Sequence, residues 1–443
     1  MDTILLFVQL LVVLAMIFIG ARVGGIGMGI YGMVGVTILV FVFGCEPGQI
    51  PVDVMLIIVA VITASSCLQA AGGLDYMVEI AARFLRRHPA HITYYGPLTT
   101  WLLCILAGTA HTCYALLPII SEIATRAKIR PERPLSVATI AASLGITGSP
   151  VSAATVALLS TSLLGAHGIG MKEIFIVTIP ASIIAILVAS FIQNRVGKPM
   201  EEDPEYQRRL KAGLIRPYDD APADSTPAEA NPRAKWSVAV FLAGVLAVAL
   251  LGSFPSLRPS AGGQPLPMNP VIEMVMMAIA ALILIVSKAD VKAAVKGNIF
   301  TAGMTAMISI FGIAWMGDTF FNGNLEFFRS HIADIVTQYP FLFSVALFIM
   351  SIMLFSQAAT VRTLYPLGIG LGINPLALTA MFPAVNGYFF FPNYPTEVAA
   401  INFDTTGTTR IGKYVVNHSF QLSGFITTIV SIAVGYLIIT FLY

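Results

Sequence analysis

Polar residues and helix-breaking prolines interrupt two apolar stretches of the sequence, and such interruptions could hold a small charged molecule. The stretches are residues 108–155 and residues 356–400, and in each a threonine stands six residues before a proline. Broken backbone at membrane depth is tolerated only where it is buried in protein or lines a wet cavity. Two interrupted segments at matching places in two halves therefore predict the substrate site of a secondary transporter.

The chemistry predicted for this site is the binding of a short dianion by uncharged donors. Helix ends within the interruptions supply free N–H groups and positive dipole ends, which attract carboxylates without a full positive charge. The candidate substrate-binding side chains are Thr109, His111, Thr112, Ser149, Ser152, Ser356, Gln357, Thr360, Asn393 and Thr396. For each hydroxyl the alternative is a hydrogen bond to its own helix backbone or to a neighbouring helix.

Three ionisable residues, His111, Arg362 and Glu397, are candidates for proton coupling or charge pairing. His111 could donate to a substrate carboxylate or carry a proton, and the alternative is a neutral ring bonded to a nearby carbonyl. Glu397 would repel a dianion and costs roughly 3 kcal/mol at membrane depth, so it is expected to carry a proton or to pair with a hairpin residue. Arg362 could meet a substrate carboxylate or Glu397, or extend outward to the membrane surface.

The composition places the chain among all-α polytopic membrane proteins. Of 443 residues, 57% are hydrophobic and 11% are charged, against roughly a quarter charged in soluble proteins. A net charge of +2 without a basic patch gives no indication of nucleic acid. Neither a cofactor nor a metal is expected, because the four cysteines lack C-x-x-C spacing and the glycines at 27, 29 and 32 fit close helix packing better than dinucleotide binding.

Apolar runs and the distribution of lysine and arginine predict about ten transmembrane helices and two re-entrant hairpins, arranged as an inverted repeat. The first repeat covers residues 1–194 and the second covers residues 236–443, and residues 195–235 form a solvated, partly disordered cytoplasmic linker. The predicted hairpins are 94–120 and 341–366, and the predicted broken helices are 135–165 and 375–400. Both termini should face the periplasm, because the basic loops then all lie in the cytoplasm.

Seven short segments spread along the chain carry a family resemblance. They are residues 20–25 (GARVGG), 51–56 (PVDVML), 68–75 (LQAAGGLD), 130–134 (RPERP), 312–316 (GIAWM), 356–359 (SQAA) and 417–420 (NHSF). Through them the sequence resembles the anaerobic four-carbon dicarboxylate transporters of the Dcu A/B type. The resemblance implies exchange of fumarate, malate or aspartate for succinate across the bacterial inner membrane during anaerobic fumarate respiration.

The same resemblance implies kinship with the wider ion transporter superfamily. Its members hold substrate between two hairpin tips and two broken helices, move it by an elevator motion and often form homodimers. The superfamily's Ser-Asn-Thr hairpin signature is replaced here by GTAHT at residues 108–112 and by SQAAT at residues 356–360. This departure favours proton coupling or pure exchange over coupling to sodium.

The sequence therefore predicts an antiporter of C4-dicarboxylates that works by alternating access in the lipid bilayer of the inner membrane. A passive anion channel and a proton-coupled uptake carrier are the alternatives. A membrane-embedded enzyme is a weaker one, because no nucleophile and base are found together and hydrolase and P-loop motifs are absent from the sequence.

Overall fold

The structure is a computed structural model that is almost entirely helical. It describes residues 3–23, 25–50, 52–160, 163–215, 232–324, 326–328, 338–354, 356–391, 394–414 and 417–442. Within these ranges the only strands are β1 (Ser260–Ala261) and β2 (Gln264–Pro265), which pair antiparallel. The architecture is therefore one of packed helices, as the composition predicts.

The first half of the chain contains nine helices within the described residues. They are α1 (Thr3–Val23), α2 (Gly27–Phe41), α3 (Val52–Ala70), α4 (Gly73–Arg87), α5 (Ile92–Ala107), α6 (Cys113–Arg126), α7 (Glu132–Thr147), α8 (Ala153–Leu158) and α9 (Met171–Gln193). A short helix, α10 (Pro204–Lys211), follows in the linker.

The second half contains nine further helices within the described residues. They are α11 (Ala234–Ser253), α12 (Met268–Ser287), α13 (Val291–Lys296), α14 (Asn298–Gly323), α15 (Leu342–Leu354), α16 (Gln357–Gly370), α17 (Pro375–Ala380), α18 (Pro395–Phe403) and α19 (Gln421–Leu442). In the described part of the chain, five helices are long and apolar enough to cross a membrane, or six if the bent pair α3 and α4 is one span. The predicted count of about ten crossings stays a prediction.

The stretch predicted as the first hairpin consists of α5 and α6, joined through a 3-10 turn at Ala110–Thr112. Gly108 ends α5 in the left-handed conformation, with φ at +70°. A Cβ atom there would lie 2.9 Å from the carbonyl oxygen of Val151, so only glycine fits this close approach. The turn is thereby held against the start of α8.

The remaining three predicted interruptions coincide with helix starts or gaps. Helix α7 ends at Thr147 and α8 begins at Ala153, while Ser356 caps the start of α16. Helix α17 is followed by a 3-10 stretch, Phe382–Phe390, and by the start of α18. Whether these pieces form re-entrant hairpins, and whether the two halves are inverted, stays a prediction.

Helices α2 and α14 pack backbone against backbone through glycines. A Cβ atom on Gly32 would lie 2.5 Å from the carbonyl carbon of Gly312, and one on Gly312 would overlap the carbonyl oxygen of Gly29. Small residues that let helices approach this closely are typical of membrane helix interfaces. The interpretation of the glycines at 27, 29 and 32 as a helix-packing motif is confirmed.

The start of the linker forms α10 and docks through Asp203, while its other side chains apart from Met200 stay at least partly exposed, so the solvated, partly disordered linker stays a prediction. Asp203 is 2% exposed, and its Oδ2 accepts a hydrogen bond of 2.6 Å from Nη1 of Arg130. Its Oδ1 accepts from the backbone N–H groups of Glu205 and Tyr206 at the start of α10. The mixed charges of the linker gave no sign of this buried partner.

The pKa of Asp203, the buried acid of the linker, is lowered by a backbone hydrogen bond and by an ion pair. Burial alone would raise the pKa of Asp203, but the N–H of Tyr206 and the guanidinium of Arg130 outweigh it, so the pKa lies below its usual value. Arg130 also donates from Nε to Oε2 of Glu132 at 2.5 Å. One guanidinium thus ties the linker to the start of α7.

Candidate functional site

A cavity of about 960 Å³ lies where the interrupted segments meet. One wall consists of the turn after α5, the starts of α8 and α16, and the residues that lead into α18. The rest of the lining includes parts of α1, α3 and α14, which are continuous helices. Broken and unbroken elements therefore both line the cavity.

Four segments begin at this cavity, and each presents its N-terminal end to it. Thr109 precedes the 3-10 turn, Ser152 precedes α8, Ser356 precedes α16 and Tyr394 precedes α18. Free N–H groups and the positive end of a helix dipole favour bound anions. Both predicted hairpin tips, residues 108–112 and residues 356–360, reach the same cavity.

Thr109 and His111 line the cavity at the first hairpin tip. The hydroxyl of Thr109 lies 2.8 Å from Nδ1 of His111, and it also accepts the backbone N–H of His111 at 3.3 Å. The His111 ring packs beside that of Tyr114, with centroids 5.8 Å apart. Because one ring nitrogen is held by Thr109, the imidazole has a fixed orientation beside the cavity.

Ser356 and Gln357 line the cavity at the second hairpin tip. Ser356 caps α16 by accepting the N–H of Ala359 at 3.2 Å. Gln357 donates from Nε2 to the carbonyl oxygen of Ser143 at 2.8 Å, to the hydroxyl of Tyr388 at 3.2 Å and to Oδ1 of Asn386. Its Oε1 is buried and has no hydrogen-bond partner among the described residues.

Four other predicted hydroxyls are bonded to backbone carbonyls instead of facing the cavity. The bonds run from Thr112 to Thr109 (3.1 Å), from Ser149 to Ile105 (2.6 Å), from Ser152 to Ile146 (2.7 Å) and from Thr360 to Ser356 (2.8 Å). This is the alternative that the sequence left open for each of them. In this structure these hydroxyls shape the broken segments, and none of the four lines the cavity within the described ranges.

Glu397 and Thr396 lie at the start of α18, behind the cavity wall. Glu397 is completely buried, and its carboxylate interacts with its own backbone N–H and with the hydroxyl of Thr396, without a well-aligned hydrogen bond in the described part of the chain. An ionised carboxylate with such weak contacts is costly in these surroundings, so the geometry suits the neutral, protonated acid. Asn393 lies outside the described residues.

Arg362 lies between the broken segments and the continuous helix α14. Its Nη1 donates to the hydroxyl of Ser160 at 3.2 Å, and its charge is close enough to act on Asp318 of α14. Asp318 in turn accepts the backbone N–H of Gln49 at 2.6 Å. These contacts join Arg362 to the region after α8 and to α14.

Three residues of the cavity wall were missed by sequence reasoning. Tyr388 and Tyr394 line it with rings 4.3 Å apart, and Arg22 lines it from α1. The aromatic run at residues 388–394, inside a proline-rich interruption, could have indicated the two tyrosines. Arg22 could not be found in this way, because its sequence context does not show which elements it faces.

The chain is similar to known transporters along nearly its whole length. Residues 5–443 match the family described as anaerobic C4-dicarboxylate membrane transporter. The Anaerobic C4-dicarboxylate transporter DcuB of Escherichia coli O157:H7 is 40% identical over 435 residues, which cover 97% of each chain. The C4-dicarboxylate transporter DcuA of Wolinella succinogenes is 39% identical over 435 residues, which cover 98% of this chain and 99% of that protein.

A solved structure shares the fold at low sequence identity. The YdaH transporter of Alcanivorax borkumensis aligns with a TM-score of 0.59 and 17% identity, over 86% of this chain and 85% of its own. A likeness at this identity concerns the fold alone. Family membership follows instead from the match along nearly the whole chain, and the protein belongs to the anaerobic C4-dicarboxylate membrane transporter family.

Proposed function

We propose that the protein is an antiporter that exchanges fumarate, malate or aspartate for succinate across the bacterial inner membrane. The observation that carries the proposal is the convergence of four segment starts on one cavity of about 960 Å³. The names of its relatives, which state C4-dicarboxylate transport, support the choice of substrate class. The test is counterflow in proteoliposomes, in which uptake of labelled fumarate must depend on dicarboxylate trapped inside.

The two hairpin tips would bind the two carboxylates of one substrate. Thr109 and His111 stand at one tip, and Ser356 and Gln357 stand at the other, all four on the cavity wall. Uncharged donors at helix N-termini stabilise a carboxylate while letting it leave again, which a carrier requires. The remaining predicted side chains would act on the substrate through the backbone that they hold in place.

Transport would proceed by movement of the broken segments against the continuous helices. Both sets of elements line the cavity, so a shift of one set past the other would expose it on the opposite side of the membrane. This mechanism uses the inverted repeats 1–194 and 236–443 as its symmetric halves. A homodimer held through the continuous helices is part of the proposal.

The cavity would face the cytoplasm in this structure. It is lined by residues 17–25 near the end of α1 and by residues 299–310 in the first half of α14. Lys292 and Lys296 lie just before α14, and positive charge marks the cytoplasmic side of a membrane protein. With both termini in the periplasm, these parts of α1 and α14 are their cytoplasmic ends.

Glu397 favours a proton-coupled carrier as the second candidate. Its buried carboxylate, which has no well-aligned hydrogen bond in the described part of the chain, suits a proton that binds and leaves during the cycle. His111 and Arg362 would assist by proton transfer or charge pairing. Net uptake that is driven by a pH gradient and needs no internal dicarboxylate would distinguish this candidate from pure exchange. Flux that needs neither a pH gradient nor internal dicarboxylate would indicate a passive channel.

A further inference from the structure

Arg22 is the cationic residue of the cavity wall. Among the lining residues of the described part of the chain it is the only lysine or arginine, and no aspartate or glutamate is among them. Its guanidinium lies 4.8 Å from the centroid of the Phe18 ring, one turn earlier on α1. Stacking of this kind holds the flat guanidinium in place while its edge stays free to donate.

The position of Arg22 differs from that of the neutral donors in two respects. It belongs to a continuous helix and not to a hairpin tip, and it stands one residue before the end of α1. Under the proposed orientation this end is cytoplasmic. The donors at the tips would travel with the substrate, whereas Arg22 would stay at the cytoplasmic mouth.

The ordinary explanation for such a residue is an arginine at a helix end that extends to the membrane surface. Arg195 gives the comparison, because it follows α9 and lies 3.6 Å from the ring centroid of Phe191, also one turn earlier. Arg195 is not among the residues that line the cavity. Both arginines therefore stack on a phenylalanine, but Arg22 differs from Arg195 because it lines the cavity.

We propose that Arg22 is a specificity-determining residue that attracts and binds one carboxylate of the dicarboxylate at the cytoplasmic mouth only. The inference rests on the proposed function. A dianion that approaches the cytoplasmic leaflet is repelled by anionic lipids, and a cation set between low-dielectric walls offsets that repulsion and focuses the field. A guanidinium–carboxylate bond is charge-assisted and gives directional contact as well.

The test compares the two faces of the membrane. Counterflow of labelled succinate is measured in right-side-out and in inverted membrane vesicles that contain the full chain. Arg22→Gln should raise KM about tenfold in inverted vesicles, where the cytoplasmic face is outside, and by less than about twofold in right-side-out vesicles. Arg22→Lys should keep part of the affinity, since the charge remains without the planar fork.

Salt dependence separates attraction from a structural effect. In inverted vesicles the KM of the unchanged protein should rise with ionic strength, whereas that of Arg22→Gln should stay nearly constant. Arg195→Gln is the matched control and should leave both KM values and their salt dependence as they were. The KM in right-side-out vesicles reports for each variant that the binding site itself is folded.

An unchanged KM for Arg22→Gln in inverted vesicles would overturn the inference, and so would an equal rise on both faces. Either result leaves the antiport proposal standing, because exchange would still occur. Failure of the unchanged protein to exchange succinate at all is a different outcome and overturns the proposed function together with the role of Arg22.

Discussion

The side-chain amide of Gln357 donates a hydrogen bond of 2.8 Å to the carbonyl oxygen of Ser143. The bond joins the second hairpin tip to α7, two elements that lie 214 residues apart in the chain. Ser143 is in the last turns of α7, just before that helix ends at Thr147. The cavity is thus built from both halves of the chain, and a polar contact fixes one half against the other.

Replacement of Gln357 by leucine should impair transport. The change removes the donor to Ser143 and to Tyr388 and leaves buried acceptors without a partner, so uptake at low substrate concentration should fall at least about tenfold. Thr440→Val is the control, because this exposed hydroxyl of α19 bonds only the carbonyl oxygen of Tyr436, one turn earlier, in the described structure. Equal effects of the two changes on uptake into proteoliposomes would contradict this assignment.

Replacement of Glu397 by glutamine should separate exchange from proton coupling. Glutamine has the shape of the protonated acid, so counterflow should stay within about twofold of normal while stimulation of uptake by an imposed pH gradient is lost. Glu46→Gln, at an exposed acid, serves as the control. Full gradient stimulation in the Glu397 variant would show that this carboxyl does not carry the proton.

The linker contact predicts a pH-dependent loss of stability. The pKa of Asp203 is lowered in the folded protein, so its stabilising contribution is present above the unfolded value of about 4 and is lost as pH falls below it. Asp203→Asn should therefore lower the melting temperature of the detergent-solubilised protein at pH 7, and the difference should shrink at acidic pH.

Glu202 gives the control for this experiment, because it adjoins Asp203 and is exposed. Glu202→Gln should leave the melting temperature unchanged across the same pH range. If the melting temperature of Asp203→Asn stays below that of the unchanged protein at low pH, the ion pair with Arg130 is not the source of the difference.

The glycine contact between α2 and α14 predicts intolerance of even one methyl group. Gly312→Ala would drive its Cβ into the carbonyl oxygen of Gly29, so the helices must separate and the protein should fail to accumulate in the membrane. On the same helix, a Cβ at Gly323 would lie 3.6 Å from Sγ of Cys45, so Gly323→Ala should be tolerated. Similar amounts of both variants in purified membranes would argue against this packing.

Local chemistry was enough to predict where helices begin around the cavity. Thr109 and Ser356 are polar residues that accept backbone N–H groups, and each stands just before a helical segment. The apolar runs predicted helices because a chain in lipid must bond its own backbone. These features depend on neighbours in the sequence, so a single sequence contains them.

The direction of side chains could not be predicted in the same way. Ser152 turns its hydroxyl to the carbonyl oxygen of Ile146 near the end of α7, and this depends on the path of the chain through the break. Arg22 faces the cavity only because the fold brings α1 to the same cavity as the distant hairpin tips. The pairing of Arg130 with Asp203 spans 73 residues and likewise required the fold.

Counterflow in proteoliposomes tests the central claim most directly, since it asks whether one cavity serves two dicarboxylates in turn. With purified protein and labelled fumarate outside, uptake should be rapid when succinate is trapped inside and at least about tenfold slower when the vesicles contain only buffer. Uptake at the same rate in both sets of vesicles would contradict antiport.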